Sequence, residues 1–94
     1  MRQKTHYANG QPVFHQDGDR LTYFFKTGVK KAEGLSVSDV MQGEWRFWRE
    51  TGALWQVGQF RDGQKHGEWL RYARDGTVEY REMFEAGKLR KGAT

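Results

Sequence analysis

Few groups in this 94-residue chain could do chemistry, and the most regular of them is a pair of carboxylates. Glu44 and Glu68 each sit between a glycine and a tryptophan, in "GEWRFWRETG" (43–52) and "GEWLRYARDG" (67–76). Paired carboxylates can work as general acid and base. On neighbouring hairpins, however, they would stand two strand spacings apart, about 9–10 Å, too far to share one proton. Their repetition beside Trp45 and Trp69 argues instead for solvent-facing strand residues. The histidines, His6, His15 and His66, lack any H-x-x-x-H or H-E-x-x-H partner, and a metal site needs at least three converging ligands. Ser36 and Ser38 have no G-x-S-x-G around them. No glycine belongs to a phosphate-cradling G-x-x-x-x-G-K-[ST] or to a dinucleotide G-x-G-x-x-G. The expectation is a protein with no catalytic, metal-binding or cofactor-binding residues, and not an enzyme.

A different chemistry is better represented. Trp45, Trp48, Trp55, Trp69 and Tyr72 lie among Arg46, Arg49, Arg61, Arg71 and Arg74. Aromatic rings with arginines on a sheet face make up protein-interface hot spots, and also stacking platforms for single-stranded nucleic acid. Trp45 and Trp69 recur in register and are expected in the core. Trp55 is different, because one period later its place is taken by Glu79; it is expected to be exposed and to touch a partner. Phe47 against Arg71 is the matching disagreement. The candidate partner-binding residues are Trp55, Phe47, Arg46, Arg49, Arg71 and Arg74.

The elements that must position these residues follow from a repeat of 24. On it fall Gly28, Gly52 and Gly76, then Trp48 and Tyr72, Leu54 and Val78, Phe60 and Phe84, and Gly63 and Gly87. One period upstream Leu21 lies under Trp45, Phe24 under Trp48, and Asp19 replaces the leading glycine. The second half of each unit alternates apolar and polar residues, which argues strand, and pairs such as Asp62-Gly63 and Asp75-Gly76 read as hairpin turns. The fold class is therefore all-β: an antiparallel meander of hairpins in one elongated sheet, because short connections join neighbours. Eight strands are expected, at 3–8, 11–16, 20–26, 29–37, 44–50, 53–61, 68–74 and 77–85. They form a single domain over 1–94, with degenerate units at 1–18 and 19–42 and well-formed units at 43–66 and 67–92. Residues 35–42, "LSVSDVMQ", break the repeat and are expected to form a single helical turn capped by Ser38-Asp39 or an irregular loop. Trp45 and Trp48, three apart, require either a bulge or a sheet covered on both faces.

Composition bounds the rest. Five Leu, six Val and no Ile leave fourteen aromatics to supply most of the burial. There is no cysteine, which excludes disulfides and thiolate metal sites and fits a reducing compartment. No apolar run reaches the length of a signal peptide or a membrane span, so a cytoplasmic protein is expected. The net charge of +4 is spread along the chain, with most basic residues near an acidic one.

The pattern over 43–92 resembles the bacterial variant of the MORN repeat and the YwqK-type antitoxins. Their units read G-x-W-x-x-Y-x-x-x-G-x-L, followed by an aromatic and a Gly-Lys ending. Gly43, Trp45, Trp48, Gly52, Leu54, Phe60, Gly63 and Gly67 carry the frame, and Gly67, Trp69, Tyr72, Gly76, Val78, Phe84 and Gly87 carry it again. Asp19, Val40 and Gln64 depart from it. The resemblance implies a row of hairpins that binds another protein, a toxin in the antitoxin group, by covering it. The alternatives are nucleic-acid or anionic-lipid binding through a basic face, or a homodimer through edge strands near 3–8 and 77–85.

Overall fold

Alternating side chains and glycine turns produce strands nearly everywhere the period calls for them. The structure, a computed structural model, describes residues 5–90. It contains β1 (Phe14–Asp17), β2 (Arg20–Phe24), β3 (Lys30–Val37), β4 (Val40–Trp48), β5 (Leu54–Arg61), β6 (Gln64–Tyr72), β7 (Val78–Glu85) and β8 (Lys88–Arg90). All eight lie in one antiparallel sheet in sequence order. No described residue is helical.

Three expectations need correction. Residues 35–42 neither break the repeat nor form a helical turn. Ser38 and Asp39 (φ 50° and 65°) close β3 onto β4 as a two-residue hairpin, with Val37 paired to Val40. Asp62-Gly63 (52°, 83°) and Ala86-Gly87 (49°, 82°) repeat that turn at 24-residue intervals. Positive φ at both central residues is the type I′ requirement, and it matches strand twist. Asp39, and not Val40, thus stands at the turn-glycine position. At the N-terminus, no strand occupies the described part of 3–8, residues 3 and 4 lying outside the described residues. A bridge from His6 to Pro12 and a bond from Val13 N–H to the Thr5 carbonyl (2.8 Å) make a rudimentary hairpin there, and the next strand is Phe14–Asp17 instead of 11–16. The outer strands are consequently β1 and β8, and β7 is flanked by β8 at Met83–Glu85.

The "Gly-Glu-Trp" phrase has a backbone explanation. Between β3 and β4 the register jumps from Gly34↔Trp45 to Leu35↔Gln42, leaving Gly43 and Glu44 unpaired on that side. Gly67 and Glu68 are skipped in the same way between β5 and β6. The two glycines sit at φ 70° and 75°, which a side chain rarely tolerates. The phrase therefore encodes a bulge, and the bulge sets Trp45 and Trp69 against the preceding strand.

Each indole lies flat on a glycine there. Gly34 faces Trp45, and a Cβ added to it would come 2.4 Å from the ring; at Gly58 the distance to Trp69 would be 1.9 Å. The Trp45 Nε1–H donates to the Leu35 carbonyl at 2.9 Å, and the Trp69 Nε1–H to the Gln59 carbonyl at 3.0 Å. Trp45 is fully buried and Trp69 nearly so. Around them Phe60 meets both rings edge-on (6.1 and 5.2 Å), and Tyr23, Phe47 and Phe84 extend the row along one face. Burial of such rings is the main apolar contribution this thin protein has. Alternation sends Trp48 to the other face, where Lys30 lies 5.9 Å from its ring. That face carries paired charges: Arg20 and Lys30 with Glu33, Arg46 with Glu44, and Arg81 with Glu68.

Candidate binding surface

A second set of bulges, near the opposite end of the strands, builds the candidate site. Phe47 pairs with Gln56 and Trp48 with Leu54, so Trp55 is the extra residue. Lys31 is skipped between β2 and β3, and Glu79 between β6 and β7. Lys31, Trp55 and Glu79 are 24 apart and structurally equivalent. A bulge residue is released from the ladder and can be re-aimed without disturbing its neighbours. The disagreement of Trp55 with Glu79 therefore falls at the point where the frame least constrains the side chain.

Trp55 is half-buried, where full exposure was expected. The Arg71 guanidinium lies 5.3 Å from the Trp55 ring and 4.8 Å from that of Tyr80. Its Nη1 donates to the Tyr80 hydroxyl. The rest of the Trp55 ring lines a cleft with Phe25, Lys31, Phe47, Trp48, Arg49 and Glu50. Arg49 also lines an adjoining cleft with Thr51, Ala53 and Arg74. Its Nη2 reaches over β5 to donate to the Tyr72 carbonyl at 3.1 Å. Lys31 lies 5.8 Å from the Phe25 ring.

Of the six candidates, the structure gathers Trp55, Phe47, Arg49, Arg71 and Arg74 around these two clefts. Arg46 is elsewhere: it pairs with Glu44 at 3.0 Å and lines a polar cleft with Arg20 and Glu33. Lys31, Phe25 and Tyr80 were missed. Lys31 was legible in principle, since it stands one period before Trp55.

The carboxylates show no acid–base arrangement. Glu44 is bonded to Arg46, and Glu68 to Arg81 at 3.0 Å. Burial pushes the Glu33 carboxyl up, but the Thr22 hydroxyl (2.8 Å), Lys30 and Arg20 outweigh it and hold it below its ordinary value. Asp75 is lowered by the Thr77 hydroxyl at 2.7 Å and then by the Thr77 N–H at 3.0 Å. Among the described residues, no three His, Cys, Asp or Glu side chains lie together as a metal site. Among the described residues no helix is long and apolar enough to cross a membrane.

Fold and site together define a repeat protein of β-hairpins with a 24-residue unit and one aromatic-basic surface. A family model described as MORN repeat variant matches residues 65–86, the β6–β7 hairpin. Neither the curated proteins nor the solved structures contain a match.

Proposed function

We propose that this chain is a non-catalytic protein-binding repeat module, an antitoxin or immunity protein of the cytoplasm that neutralises a partner protein by covering it. The observation that carries the reading is the Trp55 surface. A tryptophan stacked with arginine, beside Phe47 and Arg49, stands at the bulge where neighbouring repeats differ. Trp, Tyr and Arg dominate interface hot spots, where truncation costs about 2 kcal/mol or more. A sheet face already formed before binding also lowers the ordering cost. The MORN-type match at 65–86 is consistent with a scaffold whose faces bind.

The test is affinity capture on the full chain from nuclease-treated extract, followed by titration of the captured protein's activity. Stoichiometric loss of that activity is expected. Trp55→Ala should weaken capture by about 30-fold, the equivalent of about 2 kcal/mol. No captured protein, or a captured protein that stays fully active in the complex, refutes the neutralising role.

A further inference from the structure

We propose that the Trp55 cleft receives an acidic segment of the partner, with one apolar side chain of that segment seated on the aromatic floor. The proposal rests on the protein-binding reading and names the chemistry of what is bound.

Charge is the first argument. Five ion pairs are present among the described residues, and their cations are Arg20, Lys30, Arg46, Arg81 and Arg90. Lys31, Arg49, Arg71 and Arg74, the cations around Trp55, take part in none of them. Glu50 is the single carboxylate lining either cleft. Three lining cations, Lys31, Arg49 and Arg74, against one carboxylate leave a local surplus of +2, with Arg71 beside them on the Trp55 ring. Arg20, Arg46, Arg81 and Arg90 are each neutralised by a carboxylate; around Trp55 the arginines are held ready for an anion.

The second argument is preorganisation. Arg71 is held between two rings, and Arg49 is pinned to the Tyr72 carbonyl. In both residues Nε is buried and finds no hydrogen-bond partner in the protein. Leaving such a donor unpaired in a buried place is unfavourable. An arginine with no task would swing into solvent and avoid that cost. A guanidinium fixed in this way presents its remaining N–H groups to a carboxylate with little entropy left to lose.

The floor decides between ligand classes. Phe25, Phe47 and Trp55 form a concave apolar patch suited to an inserted side chain. Single-stranded nucleic acid needs successive open rings along a continuous basic groove. Arg71 already covers one side of Trp55, and Glu79 and Glu82 follow on β7. The two clefts are small and adjoin each other at one end of the strands, which fits a short acidic segment of protein.

The experiment follows the four indole N–H resonances of the full-length isotope-labelled chain, with Trp55→Phe assigning that of Trp55. The probes are a short Asp/Glu peptide with one central Phe, the same peptide with Gly for Phe, its Lys counterpart, and oligothymidylate. The first should shift the Trp55 signal and leave those of Trp45 and Trp69 in place. Arg49→Gln and Arg71→Gln should each weaken it by about 10-fold, or about 1.4 kcal/mol, with urea midpoints confirming that the variants fold. Replacing Phe by Gly should weaken binding further, and the Lys peptide should not bind. The proposal is overturned if the acidic peptide leaves Trp55 unmoved at about 1 mM, the weak end of specific affinity. It is equally overturned if oligothymidylate binds the cleft more tightly. A partner lost on Trp55→Ala while the acidic peptide fails would sink this inference and leave the protein-binding reading standing.

Discussion

Gly58→Ala tests the packing on which the whole sheet depends. The new Cβ would lie 1.9, 2.1 and 2.4 Å from Cδ2, Cε2 and Cε3 of Trp69, where ordinary contact is 3.4–4 Å. The ring must therefore retreat by at least 1.5 Å, the difference between 3.4 and 1.9 Å. Phe60, Phe47 and Phe84 stand 5.2, 5.9 and 6.2 Å away between centroids, so the ring has little room to do so. Retreat also breaks the 3.0 Å bond to the Gln59 carbonyl, worth about 1 kcal/mol. Overpacking adds about 1–3 kcal/mol, and complete loss of the packed indole caps the total at about 3–5 kcal/mol. The expected cost is about 3 kcal/mol, a large part of the roughly 5–14 kcal/mol open to a chain of this size.

The assay is urea unfolding followed by circular dichroism, with two comparisons. Gly52→Ala has open space around its Cβ but φ +93°, so it should cost about 1–2 kcal/mol of backbone strain alone. Gly58 has no positive φ, and its penalty is purely steric. In a Trp69→Leu background the same Gly58→Ala change should then cost less than about 0.5 kcal/mol, the usual range for a substitution that meets no special feature. Equal costs in the two backgrounds, or a Gly58→Ala cost below that of Gly52→Ala, would refute the stacking argument. Gly34→Ala against Trp45 should behave alike but more mildly, its closest approach being 2.4 Å.

Asp39→Gly should stabilise by about 1 kcal/mol, because φ 65° suits glycine; Tm should rise by about 4–8 °C. Glu33 has a depressed carboxyl, so its contribution to stability is present above its unfolded value of 4.5 and is lost as pH falls through the lower folded value. Thr22→Val should raise the folded value in an NMR titration, and the stability gap between wild type and variant should close on acidification below about pH 4.5. Thr77→Ala should let the exposed Asp75 carboxyl rise part of the way toward its ordinary value, again read by carboxyl titration, since the Thr77 hydroxyl supplies the largest lowering bond while the Thr77 N–H bond remains.

The sheet was legible because its information is local. Alternation and Asp-Gly or Thr-Gly turns identify most strands without reference to the rest of the chain, and neighbour pairing then orders them. Ser38-Asp39 was misread because it has no glycine, although serine and aspartate there adopt the same left-handed pair of conformations as Asp62-Gly63. The role of Gly34 and Gly58 was hidden for a different reason. Each acts on a tryptophan eleven residues downstream through strand register, and a bulge intervenes, so no window of sequence displays the contact. The candidate site was half legible. Composition selects Arg46 and Arg71 equally, but alternation separates them: Arg46 leaves Trp45's face and pairs with Glu44, whereas Arg71 shares the face of Trp69 and stacks on Trp55.

The two bulges divide labour within each repeat. The Gly-Glu bulge carries a residue pair that hardly varies, because changing it would move a buried tryptophan off its glycine. The second bulge carries Lys31, Trp55 and Glu79, a cation, an aromatic and an anion, on a backbone that is the same each time. Three such different side chains at one geometry mean that packing does not choose among them. Selection at that position is free to follow whatever the surface meets. On the protein-binding reading proposed above, specificity would lie in the column formed by the second bulges and its neighbours, Arg49 and Arg71, with the tryptophan–glycine stack holding that column in place.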